Sequence, residues 1–424
     1  MMERFGISKE LEEACSKAEE VLAPIFKEYD DRAMRCSMKV LQAFQEERVS
    51  TANFVEVCGY GFEDGGRDKL ERIVASIFGA EDSLVRPQIM SGTHAITLCL
   101  SALARHGDTL LSVSGRPYET LQNAIGLVGD SESSLIKCGV KYEEINLVNN
   151  DFDYEAIRER VSQKNVKLIE IQRSRGYAQR KSITMDKIEK VIKVIREADP
   201  NVIIMVDNCY GVFVEDTEPT MVGADIIAGS MMKNLGGALA LSGGYVAGKE
   251  KYVHLVAERL SVPGIGKELG ANFNQLRSFY MGVFLSPSMV ASALKTMTLA
   301  AYLLEQYDCK NITPRYNERR TDIVQTIDLP DERQLVAFCQ GMQKGSPVDS
   351  HVTPYPEVTP GYTHPEIMAG GTFIPGATLE LSCDAPVVAP YTAFMQGGIT
   401  YEYGKLNVLM GIQGMLNERK SFSK

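Results

Sequence analysis

Four short stretches place reactive side chains beside apolar runs. In Ile226–Ala238, IIAGSMMKNLGGA, Lys233 follows Ser230 by three residues and sits just past a strand-like run. A lysine there is either a solvated turn residue or an amine held for covalent chemistry. Beside another cation and partly desolvated, its pKa falls and it offers the neutral amine that a Schiff base requires. The run VIIMVDNCYG ends on Asp207, 26 positions earlier (233 − 207). That carboxylate either caps a turn or keeps a heteroaromatic nitrogen protonated. In VRPQIMSGTHAI, Gly92 and Thr93 form the turn into a helix. The first amides of such a helix lack partners and suit a phosphate, unless the turn is merely capped by Ser91 or Thr93. In SGRPYETLQN, Tyr118 opens a helix and is either a surface residue or a ring able to stack on a ligand and move a proton.

Each signal is weak alone, but their order is informative. A Gly-Thr helix start, an aspartate at a strand end and a Ser-x-x-Lys at the next strand end are the parts that pyridoxal phosphate needs. Its phosphate anchors at the helix, its ring nitrogen meets the carboxylate and its aldehyde meets the lysine. The protonated ring then takes up electrons from a substrate's α-carbon.

These positions require a scaffold of buried strands and covering helices. From about residue 80 to 250, SLVRPQIM, TLLSV, VKYEEIN, VKLIEIQ, VIIMV and DIIAGS alternate with helical patterns such as HAITLCLSALAR and MDKIEKVIKVIREA. Apolar strands separated by helices predict an α/β class with a mostly parallel sheet covered on both faces. In such sheets ligands sit at the carboxyl ends of the strands. Ahead of this lie two predicted amphipathic helices in the first fifty residues, with Leu11, Ala14, Cys15, Ala18, Val21 and Leu22 at helical spacing and Ser8 as cap. A loop with Gly59, Gly61, Gly65 and Gly66 follows, then a helix facing inward through Leu70, Ile73, Val74 and Ile77 and stopped by Gly79. SPSMVASALKTMTLAAYLLEQYD leads to a smaller α+β domain with a helix near 333–343, an irregular stretch over 345–376, a strand near ATLELSC and a final helix LNVLMGIQGMLNER. The expected division is an arm and cross-subunit loop at 1–60, a large domain at 61–304 and a small domain at 305–424.

The totals narrow the function classes. The chain of 424 residues is 44% apolar and 24% charged, as in globular enzymes. A formal charge of −10 without a basic run argues against nucleic acid. Nine scattered cysteines without CxxC, and five unpaired histidines, argue against a disulfide framework or a metal centre. No charge-free apolar run of membrane-spanning length occurs and the N-terminus has no signal-peptide pattern, so the expected location is the cytoplasm, with no membrane partner.

The motifs GYGFEDGGRDKLE, VRPQIMSGTHAI, QRSRGYAQR, VDNCYGVFVE, SMMKNLGGALALSGGY, GSPVDSHVTPYP and FMQGGITYEYGK, spread over nearly the whole chain, resemble the pyridoxal-phosphate-dependent aluminium resistance or methionine gamma-lyase-like family of fold type I, also called cystathionine beta-lyase-like. The resemblance implies Lys233 as Schiff-base lysine, Asp207 as ring-nitrogen partner and Tyr118 as stacking ring. It places Gly92, Thr93, Ser230 and Ser174 at the cofactor, and brings Tyr60 and Arg67 to the phosphate from a neighbouring subunit. A homotetramer built from dimers with shared sites follows from it. Related lyases hold the substrate carboxylate with a C-terminal arginine, but this chain has none between Arg333 and Arg419. Arg173 and Arg175 are the available substitutes. The implied reaction is β- or γ-elimination from a cystathionine-, cysteine- or methionine-like amino acid. The alternatives are another pyridoxal phosphate reaction of aminotransferase or aldolase type, and a cofactor-binding stress or sensor protein with little turnover.

Overall fold

A computed structural model of the protein describes residues 2–60, 64–358 and 364–422. Gly61 of the predicted glycine loop and residues 359–363 of the irregular stretch lie outside the described residues. The chain forms two compact units, Cys36–Leu285 and a second made of Met1–Arg35 with Ser286–Lys424.

The first element is a single helix, α1 (Lys9–Glu46), rather than two, and it continues through Pro24. Proline removes one donor and crowds the preceding turn. The apolar stripe runs on regardless, with Leu11, Cys15, Ala18 and Leu22 buried before Pro24 and Tyr29 buried after it. Val21 lies off that stripe and is exposed. Ser8 caps the start, its Oγ accepting from the Leu11 amide at 3.3 Å.

In the unit Cys36–Leu285, α2 (Gly65–Phe78) buries Leu70, Ile73, Val74 and Ile77 and stops at Gly79, whose φ of 60° is left-handed. The chain then runs through β1 (Asp82–Arg86), α3 (Gly92–Leu103), β2 (Thr109–Ser112), α4 (Glu119–Ile125), β3 (Lys141–Glu144), α5 (Tyr154–Ser162), β4 (Leu168–Gln172), α6 (Met185–Ala198), β5 (Ile203–Asp207), β6 (Ile226–Ser230), β7 (Gly244–Gly248), α7 (Glu250–Leu260) and the start of α8 (Leu276–Leu304), whose residues from Ser286 on belong to the other unit. The seven strands form one sheet in the order β1-β7-β6-β5-β4-β2-β3. Its pairs from β6 to β3 are parallel, while β7 pairs antiparallel with both β6 and β1. Strands β4, β5, β6 and β7 are buried throughout, which is why they read as unbroken apolar runs. One apolar cluster gathers Ile96, Leu100, Leu110, Leu168, Met205, Ala228 and Val256. Helix α8 has the length and apolarity of a membrane span, yet 67% of its most apolar window is buried inside the protein, as in a core helix.

The other unit continues with β8 (Lys310–Thr313), β9 (Val324–Asp328), α9 (Glu332–Lys344), β10 (Glu366–Ala369), β11 (Ser382–Pro386), β12 (Thr392–Gln396) and α10 (Tyr401–Phe422). Five antiparallel strands run in the order β10-β11-β12-β9-β8. Helices α9 and α10 approach closely through glycine: a Cβ on Gly341 would lie 2.3 Å from the Met410 carbonyl oxygen. The strand expected near ATLELSC begins only at Ser382. Its front half is held instead in a loop, where the Glu380 carboxylate accepts from the Phe373 and Ile374 amides at 2.9 and 3.0 Å.

Candidate active site

The carboxyl ends of β4, β5 and β6 lie side by side. Gln172 stands opposite Asp207, and Asp207 opposite Ala228, two residues before Ser230. Parallel register thus brings three strand-end side chains to one edge of the sheet.

Asp207 is 7% exposed, and its Oδ1 accepts from the Cys209 amide at 3.0 Å. Burial pushes its carboxyl above the usual range, opposed by Lys233, by bonds from Cys209 and by Arg180. The Lys233 ammonium lies 3.7 Å from the centre of the Tyr210 ring. Burial works to lower its pKa. The facing Tyr210, Cys209 and Asp207 outweigh that effect and hold the amine above its ordinary value. This is opposite in direction to the lowering expected beside a cation, because the groups acting most strongly on the amine, Tyr210, Cys209 and Asp207, are acidic.

Helix α3 begins directly over this edge. Ser91 is its cap: its Oγ accepts from the His94 amide at 3.1 Å and its carbonyl from the Ala95 amide at 3.0 Å. The amides of Gly92 and Thr93 stand ahead of the helix's own hydrogen bonds. Gly92 is packed against the strand ends, since a Cβ there would lie 2.8 Å from Cys209 Sγ and 3.3 Å from Ser230 Cβ. Ser230 Oγ accepts from the Met232 amide at 3.0 Å, leaving its own proton for another acceptor.

Tyr118 joins the helix start to the strand ends. Its hydroxyl donates to Thr93 Oγ1 at 2.9 Å and its amide donates to Gln172 Oε1 at 3.0 Å. Burial, then the Asp207 charge, push the phenol well above its usual value, so it stays protonated. Gln172 Nε2 donates in turn to the Ser174 carbonyl at 2.8 Å. Ser174 is therefore close to the site through its backbone.

The two candidate arginines have different surroundings. Arg173 is 1% exposed, with Nη2 2.8 Å from Glu215 Oε2, Nη1 2.7 Å from Asn208 Oδ1 and Nη1 3.9 Å from Glu218 Oε2. It braces the turn after Asp207, and a substrate carboxylate would have to displace a buried carboxylate to reach it. Arg175 is also buried, with Nε donating to the Arg180 carbonyl at 2.6 Å.

Tyr60 lies away from these residues in the chain, bridged to Leu269, and is 70% exposed. Arg67 is buried in α2; its Nε bonds Asp68 at 3.1 Å and its Nη1 has no hydrogen-bond partner among the described residues. The segment that holds Tyr60 is itself braced by a buried pair, Arg86 and Glu71, 2.7 Å apart. Arg86 also donates to the carbonyls of Lys267 and Leu269 at 2.9 and 3.1 Å.

Sequence reasoning passed over Gln172, Arg180, Cys209 and Tyr210. Gln172 was within reach of the strand-end rule applied to VKLIEIQ. Cys209 and Tyr210 lie in the same DNCYG turn as Asp207. Arg180 donates to the Gln172 and Ser174 carbonyls at 2.7 and 2.9 Å, and nothing in its spacing signals this.

The methionine gamma-lyase family model matches residues 11–416. Protein YnbB of Bacillus subtilis (strain 168) is 41% identical over 96% of this chain and 97% of its own length. A solved structure from Clostridium novyi NT, described as a carbon-sulfur lyase involved in aluminum resistance, is 38% identical with a TM-score of 0.93, covering 97% of each chain. Another, from Clostridium acetobutylicum, carries a provisional description as a cystathionine beta-lyase involved in aluminum resistance. It is 44% identical, again with a TM-score of 0.93 and 97% of each chain covered. The α/β architecture expected from the strand and helix pattern is thus shared with solved relatives along nearly the full length.

Proposed function

Because this chain belongs to the methionine gamma-lyase family, we propose that it is a pyridoxal-phosphate-dependent carbon–sulfur lyase acting on a cystathionine-, cysteine- or methionine-like amino acid by β- or γ-elimination. The observation that carries this reading is the pairing of a buried carboxyl, Asp207, with a strand-end amine, Lys233, beside the start of α3.

The donor set fits the cofactor. Asp207 is a carboxyl whose pKa burial raises, so a cation at its open side would stabilise its charge. Gly92 and Thr93 offer amides at a helix start, and Ser230 a hydroxyl proton, to a phosphate. Gly92 has no room for a side chain, as expected where backbone must approach its neighbours closely. Tyr118, fixed at both its hydroxyl and its amide, offers a ring to stack on.

When bound, the cofactor supplies a protonated ring that accepts the electron pair left at the substrate's α-carbon. Asp207 would hold the proton on the ring nitrogen. Lys233 Nζ would be the amine that holds the aldehyde and, once free, the base that accepts the α-proton. That step needs a neutral amine, and a cation held by Asp207 would work against the ammonium that the bare site favours. Tyr118 Oη or Lys233 Nζ returns a proton to the departing sulfur. For γ-elimination, Lys233 also moves a proton at the β-carbon. The products are a thiol, ammonia and a 2-oxo acid.

Arg173 and Arg175 remain the candidates for the substrate carboxylate. We further propose a homo-oligomer, by analogy a tetramer, in which exposed Tyr60 and the unpartnered Nη1 of Arg67 serve a neighbouring subunit's phosphate. The cytoplasm is the proposed location. Incubation with cystathionine, cysteine and methionine tests the reaction. A 2-oxo acid and a thiol are expected from at least one. Release of neither from any would refute the lyase reading, and amino-group transfer or aldol cleavage in their place would move the chain to another reaction of the same cofactor.

A further inference from the structure

Glu170 is a buried acid at the floor of this site, and it has no part in the reaction just described. It lies two residues before Gln172 on β4, so the two side chains share one face of the sheet, the face that carries Asp207 on the neighbouring strand. Glu170 is 1% exposed. Its Oε1 has no hydrogen-bond partner, and its Oε2 lies 2.8 Å from Ser112 Oγ.

Ser112 decides the protonation state. Its hydroxyl has one proton, with the Gly115 carbonyl at 2.7 Å and Glu170 Oε2 at 2.8 Å, and the Tyr142 hydroxyl, which donates to Glu144 at 2.9 Å, also lies beside it. The carbonyl can only accept, so it takes the Ser112 proton. The contact with Glu170 is then a hydrogen bond only if Glu170 donates. An ionised Glu170 would leave two buried oxygens facing one shared proton, with Oε1 unsatisfied in a water-poor site.

From this geometry we propose that Glu170 is a positioning residue kept as a neutral acid, its proton held on Ser112 Oγ, so that Asp207 is the one anion on this floor. The inference rests on the cofactor reading for its purpose. A second negative charge here would oppose the charge on Asp207, and Asp207 would then take up a proton and lose its hold on the ring nitrogen. The groups that face Glu170 are Asp207 from β5, Arg180 from the loop after β4, Tyr142 from β3 and Tyr118 from the start of α4. Only Arg180 among them is cationic. Burial pushes the Glu170 carboxyl up to about 7, with the Asp207 charge acting in the same direction and Arg180 against it.

The test replaces the acid by its neutral isostere, Glu170→Gln, in the full chain. Without added cofactor, the thermal midpoint of the variant minus that of the wild type is measured from about pH 5 to about pH 9. The expected difference is small at the acid end and grows in the variant's favour as pH rises, because the unfolded wild-type chain ionises Glu170 while the folded site keeps the proton, whereas glutamine does not titrate. A difference that is constant or shrinks with pH overturns the proposal. With pyridoxal phosphate added, Glu170→Gln should keep cofactor affinity within about threefold of wild type at neutral pH, a shift below 1 kcal/mol. A loss of tenfold or more would mean that Glu170 works as an anion, and would also overturn it. Should Glu170→Gln not fold, Glu170→Met, neutral and of similar length, is judged by the same two criteria, and failure of both to fold at every pH counts against the proposal. The stability arm needs no cofactor. Absence of cofactor binding by the wild type would therefore refute the cofactor reading and leave the protonation result standing.

Discussion

Gly92→Ala is a small perturbation aimed at the point where helix α3 meets the strand ends. The position starts the helix with ordinary backbone angles, so alanine carries no conformational penalty there. The whole effect is steric. The new methyl would lie 2.8 Å from Cys209 Sγ and 3.3 Å from Ser230 Cβ, and both neighbours are buried. Overpacking of this kind costs about 1–3 kcal/mol. For a cooperative unit of this size each kcal/mol lowers the melting temperature by about 2–4 °C. The displaced atoms are those that shape the proposed phosphate cradle and the turn after Asp207, so affinity for pyridoxal phosphate should fall by about 5- to 150-fold, the same free energy expressed as binding. Calorimetry and cofactor titration by visible absorbance read the two effects. Because Sγ makes the closest contact, Cys209→Ala in the Gly92→Ala background should restore much of both. Unchanged cofactor affinity in Gly92→Ala would refute the placement of the phosphate at this helix start.

Three other perturbations separate the roles assigned above. Tyr118→Phe removes the bond to Thr93 but keeps the ring, so it should weaken cofactor binding by about 0.5–1.5 kcal/mol, and Tyr118→Ala by more, as measured by equilibrium titration. Mixing inactive Lys233→Ala subunits with Tyr60→Ala subunits should regenerate activity if sites are shared between chains, whereas two additive losses without recovery would exclude sharing. Arg86→Ala removes the nearer cationic partner of the buried Glu71 carboxylate and leaves Lys267 at 3.1 Å, so it should cost up to about 3 kcal/mol by chemical denaturation. The wild-type pair has a definite pH signature. Burial raises the Glu71 pKa, but Arg86 and Lys267 outweigh it and hold it below the usual 4.5. Its stabilisation is therefore complete above that value and lost as pH falls through the lower folded value, a loss that Arg86→Ala should reduce to the share Lys267 supplies.

What could be read from the sequence follows from which interactions are local. MDKIEKVIKVIREA becomes α6 at the predicted residues because its apolar spacing specifies one buried face. Asp207 and Ser230 could be placed at strand ends because fully buried strands leave continuous apolar runs whose limits are visible. The continuity of α1 through Pro24 was not legible, since tertiary burial along the helix overrides a local breaker. The bond from Arg173 to Glu215 joins residues 42 positions apart, and no periodicity encodes such a pair. The direction of the Lys233 shift likewise depends on Tyr210 and Asp207 meeting it from the end of β5 and the turn after it. The strand-end rule located the region of the site, and the side-chain partners became legible only with the parallel register in view.

The central claim is that Lys233 is the amine that bonds the aldehyde of pyridoxal phosphate. The most direct measurement adds the cofactor to the purified chain, records the visible spectrum, reduces with borohydride and maps the modified peptide by mass spectrometry. The account predicts a visible band that disappears on reduction and a single label on Lys233, absent from Lys233→Ala. A colourless protein at saturating cofactor, or a label fixed on a different lysine, would contradict it.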